Sequence, residues 1–394
     1  MISERQLFLS HIAQTSNTPL LLEIERAEGV YMISKDGKKY LDLISGISVS
    51  NLGHSHPNVV EAIRSQLDKH MHLMVYGEYV QSTQVKFASL LINHLPQGLD
   101  NIYYVNSGSE AIEGALKLAK RYTGRSEVIA FKKAYHGSTH GALSVMGNEE
   151  FKNSFRPLVP GVKFLEFNST PDIEKITDKT ACVLLEPIQG EGGIILPEEG
   201  YLGKIRQKCN EVGALLILDE IQTGFGRTGK LFAFEHYGVT PDVFTIAKAM
   251  GGGLPIGAFV ASKEIMSVFK TNPVLGHITT FGGNPVSCAA AWASLKTILD
   301  ENIIETVPKK EELFRLLLKH ERIKEIRGKG LFFAIDLGDA EMVQTLIQKL
   351  LQSGIVVDWF LFDEKSFRIA PPLIISEDQI HFACKTILGA LDSI

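Results

Sequence analysis

Short apolar runs recur through the middle of the chain and alternate with longer amphipathic stretches. Two of these runs, 214–218 and 243–247, consist almost entirely of aliphatic, aromatic and β-branched residues. Runs of this length and composition are typical of strands buried on both faces of a parallel sheet. Because similar runs alternate with helical patterns from about residue 100 to 260, we predict an α/β fold with helices packed on the sheet.

The pattern on either side of these runs predicts further elements. Residues 102–105 favour a strand, and apolar residues then recur at helical spacing at Ala111, Ile112, Ala115, Leu116 and Ala119. A Gly-Gly-Asn-Pro segment at 282–285 ends this region, and residues 286–299, rich in alanine and leucine, predict a long helix. Residues 300–394 mix helical patterns with short strands, which indicates a smaller α+β domain.

The two central runs end in side chains of opposite charge. The first is followed by Asp219 and the second by Lys248, 29 positions apart (248 minus 219), which suits one strand–helix–strand unit. Ligands of parallel sheets bind outside the carboxyl ends of the strands. An amine and a carboxylate at that edge suggest an enzyme that uses pyridoxal 5′-phosphate (PLP). In such enzymes a lysine forms a Schiff base with the aldehyde of PLP, and an aspartate faces its pyridine nitrogen.

Several ordered segments strongly resemble the class III aminotransferases. These are PLP enzymes of fold type I and include acetylornithine, ornithine and 4-aminobutyrate aminotransferases. The segments that carry the resemblance span nearly the whole chain and lie at 36–47, 52–57, 218–229, 241–242, 247–257, 327–331 and 367–373.

The resemblance implies a two-domain architecture with a shared active site. A mainly parallel sheet sandwiched by helices would form a large PLP-binding domain over 51–285. A small α+β domain would comprise 286–394, with the N-terminal segment 1–50 packed on it. Thr280 matches the threonine that reaches the phosphate of a neighbouring subunit, so we expect a homodimer.

The phosphate site is expected where the strand at 102–105 turns into the next helix. Ser107 and Glu110 have the spacing of a capping box. A glycine-containing turn at a helix N-terminus presents backbone N–H groups and a favourable dipole to an anion. We therefore expect Ser107, Gly108 and Ser109 to bind the cofactor phosphate; on the motif alone, an ordinary capped helix is an equal alternative.

The resemblance also assigns roles around the cofactor ring. Tyr135 would stack on the pyridine, Asp219 would pair with its nitrogen, and Lys248 would hold the aldehyde and then act as the catalytic acid and base. The other positions that match cofactor-binding blocks are His136, Glu186, Ile221 and Gln222. Without the resemblance, Tyr135 could be a core residue, Asp219 a helix cap and Lys248 a solvated charge.

Two further residues point to the substrates. Arg368 matches an arginine that binds the α-carboxylate of glutamate or 2-oxoglutarate in relatives, and the planar guanidinium suits both oxygens. Glu191 matches the glutamate that neutralises this arginine when the other substrate offers no carboxylate there. One pocket could then serve two substrates in turn, as a ping-pong mechanism requires. The alternatives are a structural ion pair or an exposed arginine.

At one substrate position the chain departs from these relatives. They normally carry arginine after the Tyr/Phe-His-Gly block to hold the carboxylate of the amino donor, and this chain has Ser138. The hydroxyl of a serine cannot replace a guanidinium that binds both oxygens of a carboxylate. Either the donor carboxylate is bound elsewhere, for example by Lys132 or Lys133, or the donor has no carboxylate at that end.

These observations predict an ω-aminotransferase that moves a terminal amino group to 2-oxoglutarate, with ornithine or N-acetylornithine as the best candidate donor. The products would be an aldehyde and glutamate. Alternative donors are 4-aminobutyrate, lysine or a diamine, and alternative reactions are those of a mutase or decarboxylase relative. A PLP-binding regulatory module would need an additional partner domain, for which the 394 residues leave no room.

The composition gives no support for nucleic acid or a membrane as a partner. A formal net charge of −5 gives no electrostatic reason to expect nucleic acid or an anionic membrane. No apolar run approaches the ~18 residues of a membrane span, and the N-terminus lacks the pattern of a signal peptide. The four cysteines show no metal-type spacing. We expect a cytoplasmic protein.

Two other motifs resemble ligand sites but lack essential features. Residues 224–229 match G-x-G-x-x-G, yet four residues separate them from Asp219, and Leu231 stands where a P-loop needs serine or threonine. The pairs His54/His56 and His70/His72 have no supporting carboxylates at useful spacing. We expect neither nucleotide nor metal binding at these positions.

The substitution Ser138→Arg tests whether the missing cation limits the use of ω-amino acids. We expect kcat/KM for ornithine and 4-aminobutyrate to rise roughly tenfold or more, because a bidentate carboxylate contact is gained. Steady-state kinetics of the purified variant would measure this. Kinetics unchanged from those of the original chain would contradict the interpretation.

Overall fold

The computed structural model describes residues 2–394, which form three β-sheets and the helices around them. The strands are β1 (Ile24–Glu28), β2 (Tyr31–Ser34), β3 (Lys39–Asp42), β4 (Asn101–Val105), β5 (Glu127–Phe131), β6 (Val162–Leu165), β7 (Thr180–Leu185), β8 (Leu215–Asp219), β9 (Val243–Ile246), β10 (Gly257–Ala261), β11 (Glu325–Gly328), β12 (Phe333–Asp336), β13 (Ile355–Val356), β14 (Asp358–Trp359) and β15 (Ser366–Ile369).

The helices lie between and after these strands. They are α1 (Glu4–His11), the single turn α2 (Ser45–Ser48), α3 (Pro57–Leu67), α4 (Ser82–Ile92), α5 (Gly108–Thr123), α6 (His140–Ser144), α7 (Tyr201–Val212), α8 (Lys263–Met266), α9 (Pro285–Asp300), α10 (Ile303–Leu317), α11 (Ala340–Gln352) and α12 (Glu377–Asp392). Between Ile2 and Ile394, no helix combines the length and apolar content needed to cross a bilayer.

The largest sheet has seven strands in the order β4-β10-β9-β8-β7-β5-β6. Its neighbouring pairs are parallel, except that β10 runs antiparallel to both β4 and β9. Every residue of β7, β8 and β9 is buried, because helices cover both faces of this sheet. The prediction of an α/β fold with a mainly parallel central sheet is therefore confirmed.

The predicted elements match the observed ones closely. The run 214–218 is β8, which begins one residue later and includes Asp219, and the run 243–247 is β9, which ends one residue earlier. The long helix predicted at 286–299 is α9. Its start is set by Pro285, whose ring suits the first helical position, and by Asn284, whose side chain accepts a hydrogen bond from the N–H of Val286 at 2.9 Å.

Two smaller sheets complete the fold. The sheet β1-β2-β3-β13 joins N-terminal strands to a strand of the C-terminal part, and β11-β12-β15-β14 is antiparallel throughout. The N–H of Ala370 also donates to the carbonyl of Leu43 at 2.6 Å. The predicted domain boundaries at residues 50 and 285 stay a prediction.

A buried arginine in the glycine-rich run 224–229 connects three distant parts of the chain. The Nη1 group of Arg227 donates to the carbonyls of Leu331 at 2.8 Å and Pro371 at 2.5 Å, and its Nη2 group donates to the side chain of Asn51 at 2.5 Å. Burial lowers the pKa of Arg227 to about 9. Because all of these acceptors are uncharged oxygens, the guanidinium is held by hydrogen bonds and not by an ion pair.

Candidate active site

The carboxyl ends of β7, β8 and β9 border a cavity of about 480 Å³. Glu186 follows β7, Asp219 is the last residue of β8, and Lys248 follows β9 after a single alanine. The parallel pairing of these strands brings their ends to one edge of the sheet. The sequence-based expectation that Asp219 and Lys248 meet at this edge agrees with the geometry.

The N-terminus of α5 forms one end of the cavity. Ser107 caps this helix, since its hydroxyl accepts a hydrogen bond from the N–H of Glu110 at 3.2 Å. The carboxylate of Glu110 instead accepts the backbone N–H of Asn106 at 2.6 Å, so only half of the predicted capping box forms. A Cβ on Gly108 would lie 2.9 Å from the Cδ1 atom of Ile221, so the side chain of Ile221 would have to shift to admit it.

Asp219 is buried and held from two sides. Its Oδ2 atom lies 2.7 Å from Nδ1 of His136, and its Oδ1 atom accepts the N–H of Ile221 at 3.0 Å. The other ring nitrogen of His136 is buried without a hydrogen-bond partner among the described residues. The carboxylate, which lines the cavity, is therefore fixed in orientation.

Tyr135 lines the cavity beside the α5 N-terminus and contacts the residue that departs from the family pattern. Its hydroxyl lies 3.2 Å from Oγ of Ser138, whose N–H donates to Oγ of Ser109 at 3.3 Å. Ser138 itself is exposed and is not part of the cavity wall.

The two lysines considered as substitute cations, Lys132 and Lys133, do not line the cavity. Lys132 is paired with the carboxylate of Glu166.

Glu186 is a buried carboxyl group with an unusual pKa. It accepts hydrogen bonds from the N–H of Gly190 at 2.9 Å and of Tyr135 at 3.2 Å. Burial raises its pKa to about 7, and the charge of Asp219 adds to that shift, while His136 opposes it. Glu186 thus ties the segment of Tyr135 to the loop after β7.

Lys248 lies in a strained conformation among carboxylates. Its φ is +48°, in the left-handed region that a non-glycine residue rarely adopts. Burial lowers the pKa of its amine below 10.5, and the carboxylate of Glu191 partly opposes this shift. A lysine with a lowered pKa is more often neutral, and a neutral amine is the form that attacks an aldehyde.

Arg368 is 1% exposed and bonds to Glu191 through one nitrogen. Its Nη2 group donates to both carboxylate oxygens at 2.8 Å, whereas Nε and Nη1 are buried without partners among the described residues. Burial by itself would raise the pKa of Glu191, but Arg368 and Lys248 hold it below the ordinary value. Glu191 lines the cavity, whereas Arg368, a predicted site residue, is not part of its wall.

The geometry brings most of the predicted site residues to this one cavity. Those in its wall are Ser107, Gly108, Ser109, Tyr135, His136, Glu186, Glu191, Asp219, Ile221, Gln222 and Lys248. Thr280 is exposed and does not line the cavity of its own chain. Its neighbour Thr279 accepts a hydrogen bond from the cavity residue Asn106 at 3.0 Å. Within residues 2–394, no cluster of three metal-ligating side chains occurs.

A strained turn supplies a wall residue that the sequence pattern did not single out. All four residues of α2 (45–48) have φ between 51° and 65°. The carboxylate of Asp42 accepts the N–H groups of Ile44 at 2.9 Å and of residue 45 at 2.8 Å, and the side chain of residue 45 donates to the carbonyl of Ala370 at 2.7 Å. Val49, directly after the turn, lines the cavity.

Comparison with known proteins identifies the family. The family model for class III aminotransferases matches residues 12–391. The chain is 41% identical to the acetylornithine aminotransferase of Methanopyrus kandleri over 92% of both chains, and 40% identical to that of Archaeoglobus fulgidus over 96% of this chain and 98% of the relative. This chain is a class III aminotransferase.

A solved structure supports the same conclusion. The ornithine aminotransferase of Toxoplasma gondii, described with PLP at its active site, superposes with a TM-score of 0.91 at 29% identity, over 100% of this chain and 95% of that one. Class III aminotransferases depend on PLP, so this enzyme is a PLP-dependent transaminase. The residues present fit the group: a helix N-terminus for the phosphate, an aromatic ring, a fixed carboxylate and a buried amine line one cavity.

The pKa of Glu186 predicts a pH dependence of the aminotransferase stripped of PLP. Because the folded-state pKa is about 7 against an ordinary 4.5, the protonated carboxyl stabilises the fold fully below the ordinary value. That contribution is lost as the pH rises through about 7. Between about pH 5 and pH 8 the original protein should lose about 2 kcal/mol of unfolding free energy relative to Glu186→Gln.

Urea unfolding at several pH values measures this difference. Glu220 also has its pKa raised by burial, to about 7, but both proteins share it, so its effect cancels. The exposed Glu150 provides the control, and Glu150→Gln should follow the original protein at every pH. Parallel curves for the original protein and Glu186→Gln would contradict the assignment.

Proposed function

We propose that the enzyme is an ω-aminotransferase that transfers a terminal amino group to 2-oxoglutarate by a ping-pong mechanism. Ornithine or N-acetylornithine is the proposed donor, supported by the curated relatives named acetylornithine aminotransferase. The observation that supports 2-oxoglutarate as the amino acceptor is the buried Arg368, whose Nη2 group donates to Glu191. A cation this deeply buried is costly unless it has partners.

We propose the following residues as the holders of PLP. The N–H groups at the start of α5, with Ser107 and Ser109, would bind its phosphate. Asp219 would keep a proton on the pyridine nitrogen, and Tyr135 would lie against the ring. When bound, PLP withdraws electrons from the carbon that carries the amino group of the substrate. The catalytic residues proposed are Lys248, Asp219 and Tyr135.

Lys248 has two proposed tasks. Its Nζ atom would bond to the cofactor aldehyde between turnovers and, when released, carry a proton between the substrate Cα and the cofactor C4′. Its lowered pKa supports both tasks, since each needs a neutral amine at some stage. His136 would act through Asp219, because its Nδ1 group fixes the direction of that carboxylate.

The acceptor site would alternate between two charge states. With the donor bound, Glu191 stays on Arg368 and neutralises it. With glutamate or 2-oxoglutarate bound, the substrate carboxylate takes the guanidinium and Glu191 moves away. The unpartnered Nε and Nη1 groups of Arg368 support this proposal, since they leave donors for a second carboxylate.

The enzyme is also proposed to act as a homodimer with shared sites. Large apolar side chains are exposed along 71–80 and 274–281, which we call the apolar surface, and Val80 at 93% and Val274 at 72% are its most exposed members. The segments adjoin, since the rings of His72 and Phe281 lie 4.9 Å apart. A contiguous apolar surface of this kind is typical of subunit interfaces. Thr280 lies within it and would reach the phosphate of the partner.

The cytoplasm is the proposed location of the enzyme. Its four cysteines are all buried and free, and no disulfide occurs among the described residues. Free thiols of this kind are typical of a reducing compartment.

The visible spectrum of the holoenzyme tests the acceptor. We expect L-glutamate alone to remove the yellow absorbance of the bound cofactor and 2-oxoglutarate to restore it. In Arg368→Lys the response to glutamate should weaken at least tenfold, because the two-pronged contact is lost, while the response to the amino donor persists. If donors change the spectrum and glutamate does not, the proposed acceptor is wrong.

The substitution Val80→Asp tests the dimer. A charge within the apolar surface should shift the protein from dimer to monomer in analytical ultracentrifugation and reduce activity in parallel. Leu316→Asp, at a residue 60% exposed on α10, is the matched control and should remain dimeric and active. A Val80→Asp variant that is monomeric and fully active would contradict the shared site.

A further inference from the structure

A second carboxylate, which the proposed function does not use, lies beside Arg368. Strand β14 pairs antiparallel with β15, and Asp358 stands directly opposite Arg368 in that register. Side chains of directly opposed residues project from the same face of a sheet and lie close together. Two acidic residues from different elements therefore neighbour Arg368, Glu191 from the loop after β7 and Asp358 from β14.

The two acids relate to Arg368 in different ways. Glu191 accepts two hydrogen bonds from it, whereas Asp358 accepts the N–H of its own neighbour Trp359 at 2.8 Å and forms no ion pair or hydrogen bond with Arg368 in the described structure. Asp358 thus does not hold the guanidinium in place. It can act on this site only through its charge.

The surroundings of Asp358 and Arg368 reduce the screening between their charges. The ring of Phe360, which is 1% exposed, lies 4.6 Å from the guanidinium carbon of Arg368, and Asp358 is half-buried. Charges separated by apolar groups are screened less than charges in water. The pKa of Asp358 responds accordingly: burial raises it, Arg368 opposes the rise and Glu191 adds to it.

We propose that Asp358 is a specificity-determining residue that disfavours carboxylate substrates at Arg368. While Glu191 occupies Arg368, two negative side chains neighbour the guanidinium. When an acceptor carboxylate takes the guanidinium and Glu191 moves aside, Asp358 stays where it is and the acceptor brings one more negative charge to this part of the site. Asp358 thereby favours the state in which Glu191 alone occupies Arg368, the state that serves an amino donor. This inference rests on the proposed function, in which Arg368 receives the acceptor carboxylate.

The test uses the holoenzyme and glutarate, a dicarboxylate that has no amino or keto group and does not react. Asp358→Asn removes the charge and keeps an oxygen for the N–H of Trp359. Glu364→Gln is the matched control, because Glu364 is an exposed acid in the segment between β14 and β15. Calorimetric titration gives the affinity for glutarate, and steady-state kinetics give the KM values for 2-oxoglutarate and for the amino donor.

We expect Asp358→Asn to bind glutarate roughly three- to tenfold more tightly and to lower the KM for 2-oxoglutarate by a similar factor. The KM for the amino donor should change less than twofold, and Glu364→Gln should match the original enzyme. A merely structural role of Asp358 predicts the opposite sign, because damage to the site weakens ligand binding.

Each other outcome has a definite meaning. Unchanged or weaker glutarate binding by Asp358→Asn overturns the inference, whatever the acceptor is. Tighter glutarate binding by this variant, in an enzyme that does not turn over 2-oxoglutarate, supports the role of Asp358 and refutes the proposed acceptor. Glutarate that binds to none of the three proteins refutes both, because Arg368 is then not a carboxylate site.

Discussion

Parallel pairing between β8 and β9 is the constraint on which the candidate active site depends. The register places Ile217 opposite Val243 and Asp219 opposite Thr245, and all residues of both strands are buried. A slip by one residue would turn every side chain to the other face of the sheet. The apolar residues of these strands therefore fix more than the core: they fix which way Asp219 points and where the chain emerges to place Lys248.

The sequence was sufficient for the parts of the site that follow from single elements. Strand ends located Asp219 and Lys248, and the turn before α5 located Ser107 and Gly108, because these depend on local pattern and on parallel-sheet geometry. Contacts between distant segments were out of reach. The placement of Asp358 opposite Arg368 depends on the pairing of a two-residue strand, which has too few residues to leave a periodic signal.

The same distinction explains the smaller discrepancies. Ser107 and Glu110 have capping-box spacing, but the carboxylate of Glu110 bonds to Asn106 instead, because both the backbone N–H and the side-chain amide of Asn106 donate to the same carboxylate oxygen. No local pattern indicates that His136 would meet Asp219, 83 residues away in the chain. The role proposed for Thr280 needs a second chain and so lies outside what the pattern of one chain determines.

The left-handed turn at 45–48 has a consequence for ligand binding. Non-glycine residues in this conformation cost about 1–2 kcal/mol each, and the turn persists because Asp42 and Ala370 hold it with three hydrogen bonds. This energetic cost is met when the protein folds, and not when a ligand binds. A substrate that reaches Val49 meets a wall already in its final shape, so little conformational entropy remains to be lost when the complex forms.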